Sequence, residues 1–180
     1  TYNSPGMQGL VNTIRAAGAN NVVAVEGLGY GSNLSGVGAG LIDPANNQMY
    51  SLHLYPAQWQ SAADGATRAQ PVAGTFPVYV GEFGTPSGPA DPAAEVNGVP
   101  QQGATQWTKD MLSWLHQRGY SWSAWSLSPE TAPVLVQDYG YTPTPYFGQV
   151  VKDDLANSAA ADSLLQGLKY ALSEQSWAVA

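Results

Sequence analysis

The sequence contains no cysteine and little charge, and both shortages limit what the protein can be. Without cysteine in its 180 residues it can form no disulfide, no thiolate metal site and no cysteine nucleophile. Only 11% of the residues are charged, and six Lys and Arg against 13 Asp and Glu leave a net charge of −7. Such a chain cannot present the basic stripe that binds nucleic acid, and an anionic membrane surface would repel it. We therefore expect neither a nucleic-acid partner nor a membrane partner.

Long apolar runs are also missing. None approaches the ~18 residues that a membrane span needs. The segment that starts at Thr1 has no basic region followed by an apolar stretch, so we expect no signal peptide in this chain. The hydrophobic fraction of 44% is typical of a folded globular protein, and the length predicts one domain over residues 1–180. Aromatic residues are plentiful by contrast, with 6 Trp and 10 Tyr.

Short β-branched runs alternate with helical patterns along the chain. The strands are predicted at residues 21–27, 49–55, 77–83 and 120–127, and the main helices start near Ser4, near Thr105 and near Asn157 or Ser158. This alternation predicts right-handed βαβ units and a parallel sheet, which is the α/β class. The functional loops of such a sheet lie at the carboxyl ends of its strands. There the sequence places Glu26, His53, Tyr55, Glu82 and Trp125.

Glu82 is the strongest candidate for chemistry. It ends an apolar strand between Gly81 and Phe83-Gly84, and these small neighbours leave its carboxylate room to face a cleft. A carboxylate in that position is costly unless it is hydrogen-bonded, which favours a functional role. The alternative is a buried glutamate that a helix N-terminus or an arginine satisfies.

His53 and Tyr55 lie two residues apart on one strand, so their side chains share a face. Together they could orient a carboxylate, donate to a sugar hydroxyl or bind a metal with further ligands. The alternative is a core histidine beside a packed tyrosine. The only other histidine, His116, lies on a helix far along the chain, and no carboxylate stands at ligand spacing. The sequence therefore predicts no metal and no cofactor.

Tryptophans stand near these polar residues. Trp122 and Trp125 are three apart, so they point to opposite faces of their strand, and one of them should face the site. An aromatic plate beside a carboxylate suits a sugar, whose C–H face stacks on the ring. Trp59, in the loop after the second strand, is either a second substrate-binding plate or a lid over the core. A serine nucleophile is not expected, because no Gly-x-Ser-x-Gly motif is present.

Four stretches occur in a recognisable order and spacing: Val25-Glu26-Gly27, Tyr50 to Tyr55, Val80 to Gly84, and Trp122 to Pro129. In these motifs the sequence resembles glycoside hydrolase family 5, and within it the bacterial endoglucanases and related β-glucan hydrolases. The resemblance implies that the strands are numbers five to eight of a (β/α)8 TIM barrel. It covers nearly the whole sequence but only about the second half of the family's barrel.

The resemblance also implies roles for these residues. Glu82 would be the nucleophile that forms a covalent glycosyl-enzyme intermediate, and Tyr55 would hydrogen-bond it. His53 would lie near the cleaved linkage, and Trp125 would stack beneath the sugar. The implied activity is endo-β-1,4-glucanase-type hydrolysis of a β-glucan, and the implied location is extracellular.

The family's acid/base glutamate is absent, because no Asn-Glu-Pro motif occurs in the sequence. A retaining glycosidase needs this second carboxyl group ~5–5.5 Å from the nucleophile. Glu26 is the nearest candidate by strand order, but in the family it is not the acid/base. Four parallel strands also leave two unpaired edges, which invite another chain. We therefore expect a half-barrel that is weak or inactive alone, completed by a separate N-terminal half or by a homodimer partner. The alternative function is a non-catalytic carbohydrate-binding or scaffold module.

Overall fold

The computed structural model describes residues 5–37, 41–85, 95–96, 99–100 and 103–158. Its helices are α1 (Gly6–Ala16), α2 (Ala62–Ala69) and α3 (Ala104–Arg118), followed by a helical segment at residues 148–158. Its strands are β1 (Val23–Glu26), β2 (Gln48–Leu54), β3 (Val78–Phe83), β4 (Glu95–Val96), β5 (Val99–Pro100) and β6 (Ser121–Trp122).

Four of these strands form one parallel sheet in the order β1-β2-β3-β6. Helix α2 lies between β2 and β3 and helix α3 between β3 and β6, so the predicted parallel α/β architecture is confirmed, although the described residues between β1 and β2 form no helix. Strands β4 and β5 form a separate antiparallel pair. No helix in the described ranges is long and apolar enough to cross a membrane.

The two faces of the sheet differ in character. One face packs against the helices and forms the core, which includes Val25, Leu52, Leu54, Val80 and Phe83 from the strands, with Val11, Trp107, Met111, Leu115 and Phe147 from elsewhere. The opposite face is polar. There the Tyr79 hydroxyl lies 2.6 Å from Ser123 Oγ, which donates to the carbonyl of Gly81 at 2.6 Å.

An irregularity in β3 decides which face Glu82 joins. Ser51 pairs with Tyr79 and His53 pairs with Glu82, so β3 has one more residue than β2 between these pairs. Without this bulge, strand alternation would place Glu82 on the core face with Val78 and Val80. The extra residue at Gly81 instead brings Glu82 to the polar face and returns Phe83 to the core, where it is fully buried.

Several predicted boundaries need correction. The last strand was expected over residues 120–127, but β6 contains only Ser121–Trp122. The backbone continues alongside β3, since Ser123 N–H donates to the Val80 carbonyl and Trp125 N–H to that of Phe83. The same bulge in β3 interrupts the regular ladder between these two bonds, which is why the strand is short.

The helix ends agree with the glycine signals, whereas the last helix starts earlier than predicted. Gly119 is left-handed with φ 65° directly after α3, and Gly18 is left-handed with φ 82° two residues after α1. Residues 148–158 are already helical, although the sequence placed the start near 157. Ser4, near which the first helix is predicted to start, lies outside the described residues, and so do the leucines whose spacing predicts the last helix: Leu164, Leu165, Leu168 and Leu172.

A buried ion pair ties the amino-terminal ends of β1 and β2 to α1. Arg15, in the last turn of α1, donates from Nε and Nη2 to the two carboxylate oxygens of Asp43 at 2.7 and 2.8 Å. The guanidinium also donates to the carbonyls of Ala19, Asn21 and Asn47. Asp43 in turn accepts the backbone N–H groups of Ala45 and Asn47. One pair thus fixes the turns that precede both strands.

We predict that Asp43→Asn lowers the urea midpoint of unfolding at pH 7. The hydrogen bonds from Arg15 hold the pKa of the Asp43 carboxyl well below its usual range. An unfolded aspartate titrates near pH ~3.9, so the folded state binds this proton more weakly than the unfolded state does. The stability that Asp43 contributes is therefore fully present above that pH and is lost as the pH falls below it. The difference in urea midpoint between wild type and Asp43→Asn should therefore shrink as the pH falls below about 3.9.

The exposed Asp153 provides the control, because it accepts a surface hydrogen bond from Gln149. Asp153→Asn should leave the midpoint nearly unchanged. Equal urea midpoints for wild type and Asp43→Asn at pH 7 would contradict the stabilising role of the Arg15–Asp43 pair.

Candidate active site

The carboxyl ends of β1, β2 and β3 bring together four ionisable side chains predicted from sequence. Parallel pairing sets Glu26 beside Ser51, and it sets His53 beside Glu82. Tyr55 follows β2 by one residue, on the same face as His53.

Glu82 is held through one of its two oxygens. The Tyr55 hydroxyl donates to Oε2 at 2.7 Å, and His53 Nδ1 lies 3.5 Å from the same atom. Burial, and then the hydrogen bond to Glu82, raise the pKa of Tyr55 well above its usual range, so the phenol keeps its proton and donates. The Glu82 side chain is 27% exposed, which leaves it accessible from solvent. No arginine or lysine is paired with it in the described part of the chain, so the alternative of an arginine-satisfied glutamate finds no support.

The His53 ring lies between two carboxylates. Its Nε2 is 3.2 Å from Glu26 Oε1 on one side, and its Nδ1 faces Glu82 on the other. The His53 side chain is only 12% exposed, whereas that of Glu26 is 47% exposed. Within the described ranges no group of three or more His, Cys, Asp or Glu side chains is arranged to hold a metal ion.

Two glycines make room for this ring. A Cβ on Gly31 would lie 2.9 Å from His53 Cγ, and one on Gly81 would lie 3.3 Å from Nε2. The Gly31 carbonyl also accepts the backbone N–H of His53 at 3.0 Å. Gly31 and the bulge in β3 therefore confine the imidazole from two sides.

The loop that carries Gly31 is itself anchored. Leu28 and Asn33 exchange two backbone hydrogen bonds, and Arg68 on α2 donates to the carbonyl of Ser32 at 3.0 Å. Between them, Gly29, Tyr30 and Gly31 all have positive φ. The spacing Gly29-Tyr30-Gly31 is a sequence signal for such a turn.

Trp125 lies at the edge of the site. Its backbone N–H donates to the carbonyl of Phe83, the residue after Glu82, and its side chain remains partly open, with 37% of the residue exposed. Gly84 permits this approach, because a Cβ there would lie 2.7 Å from the Trp125 carbonyl oxygen. Trp122 packs edge-on against Phe83, on the core side.

Trp59 lies in the core, away from this opening. It is 2% exposed and packs against Trp107 and Trp114, with centroid distances of 5.7 and 6.2 Å. Because these indoles cover the ring, it offers no free face to a sugar. This burial corrects the assignment of Trp59 as a substrate-binding residue and favours its other interpretation, a lid over the core.

We predict that Gly31→Ala destabilises the fold by more than the same change at Gly18. Both glycines have positive φ, which costs an alanine about 1–2 kcal/mol. A methyl group at Gly18 would meet nothing within 4 Å, whereas at Gly31 it would press on His53. Chemical denaturation of the two variants measures the difference. In a His53→Ala background, the free energy of unfolding lost on Gly31→Ala should fall towards the loss caused by Gly18→Ala. An unchanged loss would contradict the contact between residue 31 and the His53 ring.

The family model described as Cellulase (glycosyl hydrolase family 5) matches residues 5–131. No curated protein matches the sequence.

Three solved structures illustrate the similarity of fold. A β-glucanase from Saccharophagus degradans aligns with TM-score 0.61 and 19% identity, over 82% of this chain and 46% of that one. An endo-β-1,4-glucanase from Xanthomonas axonopodis pv. citri, carrying a triple mutation, aligns with TM-score 0.57 and 20% identity, over 82% and 52%. A β-mannanase from Thermomonospora fusca gives 0.56 and 20%, over 77% and 45%.

At these identities the structures establish the fold alone, and this chain spans about half the length of each. Its sheet corresponds to part of a (β/α) barrel. The family match is the stronger finding, because it extends over most of the sequence and includes Glu26, His53, Tyr55, Glu82 and Trp125. This chain belongs to glycosyl hydrolase family 5.

Proposed function

We propose that this chain supplies the nucleophile half of a retaining glycosidase that hydrolyses a β-glucan, with Glu82 as the nucleophile. The observation that carries the proposal is the hydrogen bond from Tyr55 to an accessible carboxylate that pairs with no lysine or arginine among the described residues. Family membership supports the reaction class. Among similar structures, the S. degradans β-glucanase is known with cellotetraose and a Streptomyces thermolilacinus β-mannanase with mannohexaose, which supports a β-linked glycan as substrate.

The contacts around Glu82 suit nucleophilic attack. Tyr55 and His53 both lie on Oε2, so Oε1 is the oxygen left to attack the anomeric carbon. In that step the new bond forms between Oε1 and the anomeric carbon while the glycosidic C–O bond breaks. Fixing the carboxylate beforehand reduces the entropy lost on reaching the transition state. Trp125, at the edge of the same site, would stack beneath the sugar.

The acid/base carboxylate is proposed to lie outside this chain. Glu26 is the neighbouring carboxylate, but the His53 ring lies between it and Glu82. It therefore cannot face the nucleophile across a bound sugar as a retaining mechanism requires. We assign the second carboxylate to an N-terminal half-barrel, with a second copy of this chain as the alternative partner. The extracellular location implied by the family remains part of this proposal.

An unpaired strand edge and two apolar cavities support a partner. Beside β1, which has no neighbour on its outer edge among the described strands, lies a largely apolar cavity of about 420 Å³ lined by Met7, Leu28, Val37 and Leu41. Residues that follow β6 in the chain form a second apolar cavity of about 250 Å³, lined by Leu127, Tyr141 and Leu155, all of which are more than half exposed. Unpaired strand edges and exposed apolar patches are typical of surfaces that another chain covers. Light scattering that shows a stable monomer with no affinity for a half-barrel partner would contradict this part.

A substrate analogue that needs no acid catalyst tests Glu82 directly. Dinitrophenyl 2-fluoro-β-cellobioside has a leaving group that departs without protonation, and its fluorine slows hydrolysis of the glycosyl-enzyme. We expect the chain to acquire one fluorocellobiosyl group, which mass spectrometry of peptides should locate on Glu82. Dinitrophenolate leaves as the Glu82 ester bond forms.

The matched control is Glu82→Gln, which keeps the shape and removes the nucleophilic oxygen. It should acquire no label. Labelling of another residue, or equal labelling of the variant, would reject Glu82 as the nucleophile. Saturable binding of cellotetraose without any labelling would favour the non-catalytic carbohydrate-binding alternative.

Trp125→Ala should weaken cellotetraose binding by about 3- to 10-fold, because it removes the proposed stacking surface. Isothermal titration calorimetry measures this effect. The control is Trp59→Phe, which should lower the melting temperature of the protein and leave affinity unchanged, since Trp59 is buried. Affinity lost in Trp59→Phe and retained in Trp125→Ala would reverse the two assignments.

A further inference from the structure

The Glu26 carboxylate has no role in the mechanism above, yet it contacts the site. It ends β1, is half-exposed, and its Oε1 lies 3.2 Å from His53 Nε2. The family resemblance assigned no function to it, and its contact is with the histidine rather than with Glu82.

We propose that Glu26 is a positioning residue for His53, and through it for the nucleophile Glu82. The Glu26 carboxylate attracts the Nε2 edge of the imidazole, which turns the Nδ1 edge towards Glu82 Oε2 at 3.5 Å. The proposal deepens the proposed function and rests on it for the role of Glu82.

Packing alone does not fix whether the two nitrogens or the two ring carbons, Cδ2 and Cε1, face the carboxylates. Gly31 and Gly81 confine the ring from two sides, and the site leaves its position little freedom. A 180° turn about the Cβ–Cγ bond keeps the ring in the same plane, so steric confinement does not exclude it. The electrostatic partners at the two edges have to choose the orientation, as they do for histidines whose second nitrogen is held by a carboxylate.

The two carboxylates are not equivalent partners for the ring. Glu82 already accepts the Tyr55 hydroxyl on Oε2, whereas Glu26 has no other hydrogen-bond partner among the described residues. Glu26 therefore offers the imidazole the acceptor with less competition. With protons on both nitrogens the ring attracts both carboxylates at once, Glu26 through Nε2 and Glu82 through Nδ1.

Nitrogen-15 NMR of the ring tests the positioning without requiring activity. The chain has two histidines, and His116 contacts Asp154 through Nε2 at 3.0 Å, remote in sequence from the site. The nitrogen-15 chemical shifts of an imidazole report which of its nitrogens carry protons. Glu26→Leu should change the shifts of His53 and leave those of His116 alone, and Asp154→Leu should do the opposite.

The labelling reaction then tests the link to Glu82. With dinitrophenyl 2-fluoro-β-cellobioside, Glu26→Leu should lower the maximal inactivation rate about 10- to 100-fold, because the attacking carboxylate loses its orientation. The concentration for half-maximal rate should stay within about twofold of wild type, since Glu26 is not proposed to touch the sugar.

Each outcome separates this proposal from the proposed function. Unchanged His53 shifts in Glu26→Leu would overturn the positioning role, and so would changed shifts with an unchanged labelling rate. If wild type is never labelled on Glu82, the proposed function fails, and the role assigned to Glu26 in the reaction fails with it. The NMR comparison would then still decide whether Glu26 orients the ring.

Discussion

The register between β2 and β3 determines the arrangement of the site. His53 and Glu82 lie side by side only because β3 contains one residue more than β2 between two consecutive pairs. This bulge turns Glu82 out of the core, where the alternation begun by Val78 and Val80 would have placed it. The same extra residue directs Phe83 into the core against Trp107, Trp122 and Phe147. One local irregularity therefore both exposes the carboxylate and anchors the strand that carries it.

Close backbone approaches stabilise the geometry that the register creates. Gly31 and Gly81 let the loop after β1 and the bulge lie against His53, and Gly84 lets the backbone of Trp125 lie against the end of β3. The Arg15–Asp43 pair fixes the opposite ends of β1 and β2. Side chains at the site are thus positioned from both ends of the strands, as preorganised chemistry requires.

Much of this arrangement was predictable from the sequence, and the exceptions have physical reasons. Apolar runs and glycine signals located the four parallel strands, and the rule about carboxyl strand ends brought Glu82, His53 and Tyr55 together. The bulge was not predictable, because a two-residue period contains no information about an inserted residue. The burial of Trp59 was left open, since it depends on Trp107 and Trp114, which come about 50 residues later in the chain. The contact between Glu26 and His53 depends on the side-chain geometry of two neighbouring strands, which no local pattern encodes.

We propose that Glu82 is half of a carboxylate pair whose second member lies outside this chain. The most direct measurement is the distance from the Glu82 carboxylate to the nearest carboxylate that faces it across the open groove, in a crystal structure of the assembled particle. We expect a facing carboxylate, from another polypeptide segment, at ~5–5.5 Å from the Glu82 carboxylate, which is the separation in a retaining glycosidase. A partner at ~6.5–9.5 Å would indicate an inverting site instead, and the absence of any facing carboxylate would contradict a hydrolytic role for this assembly.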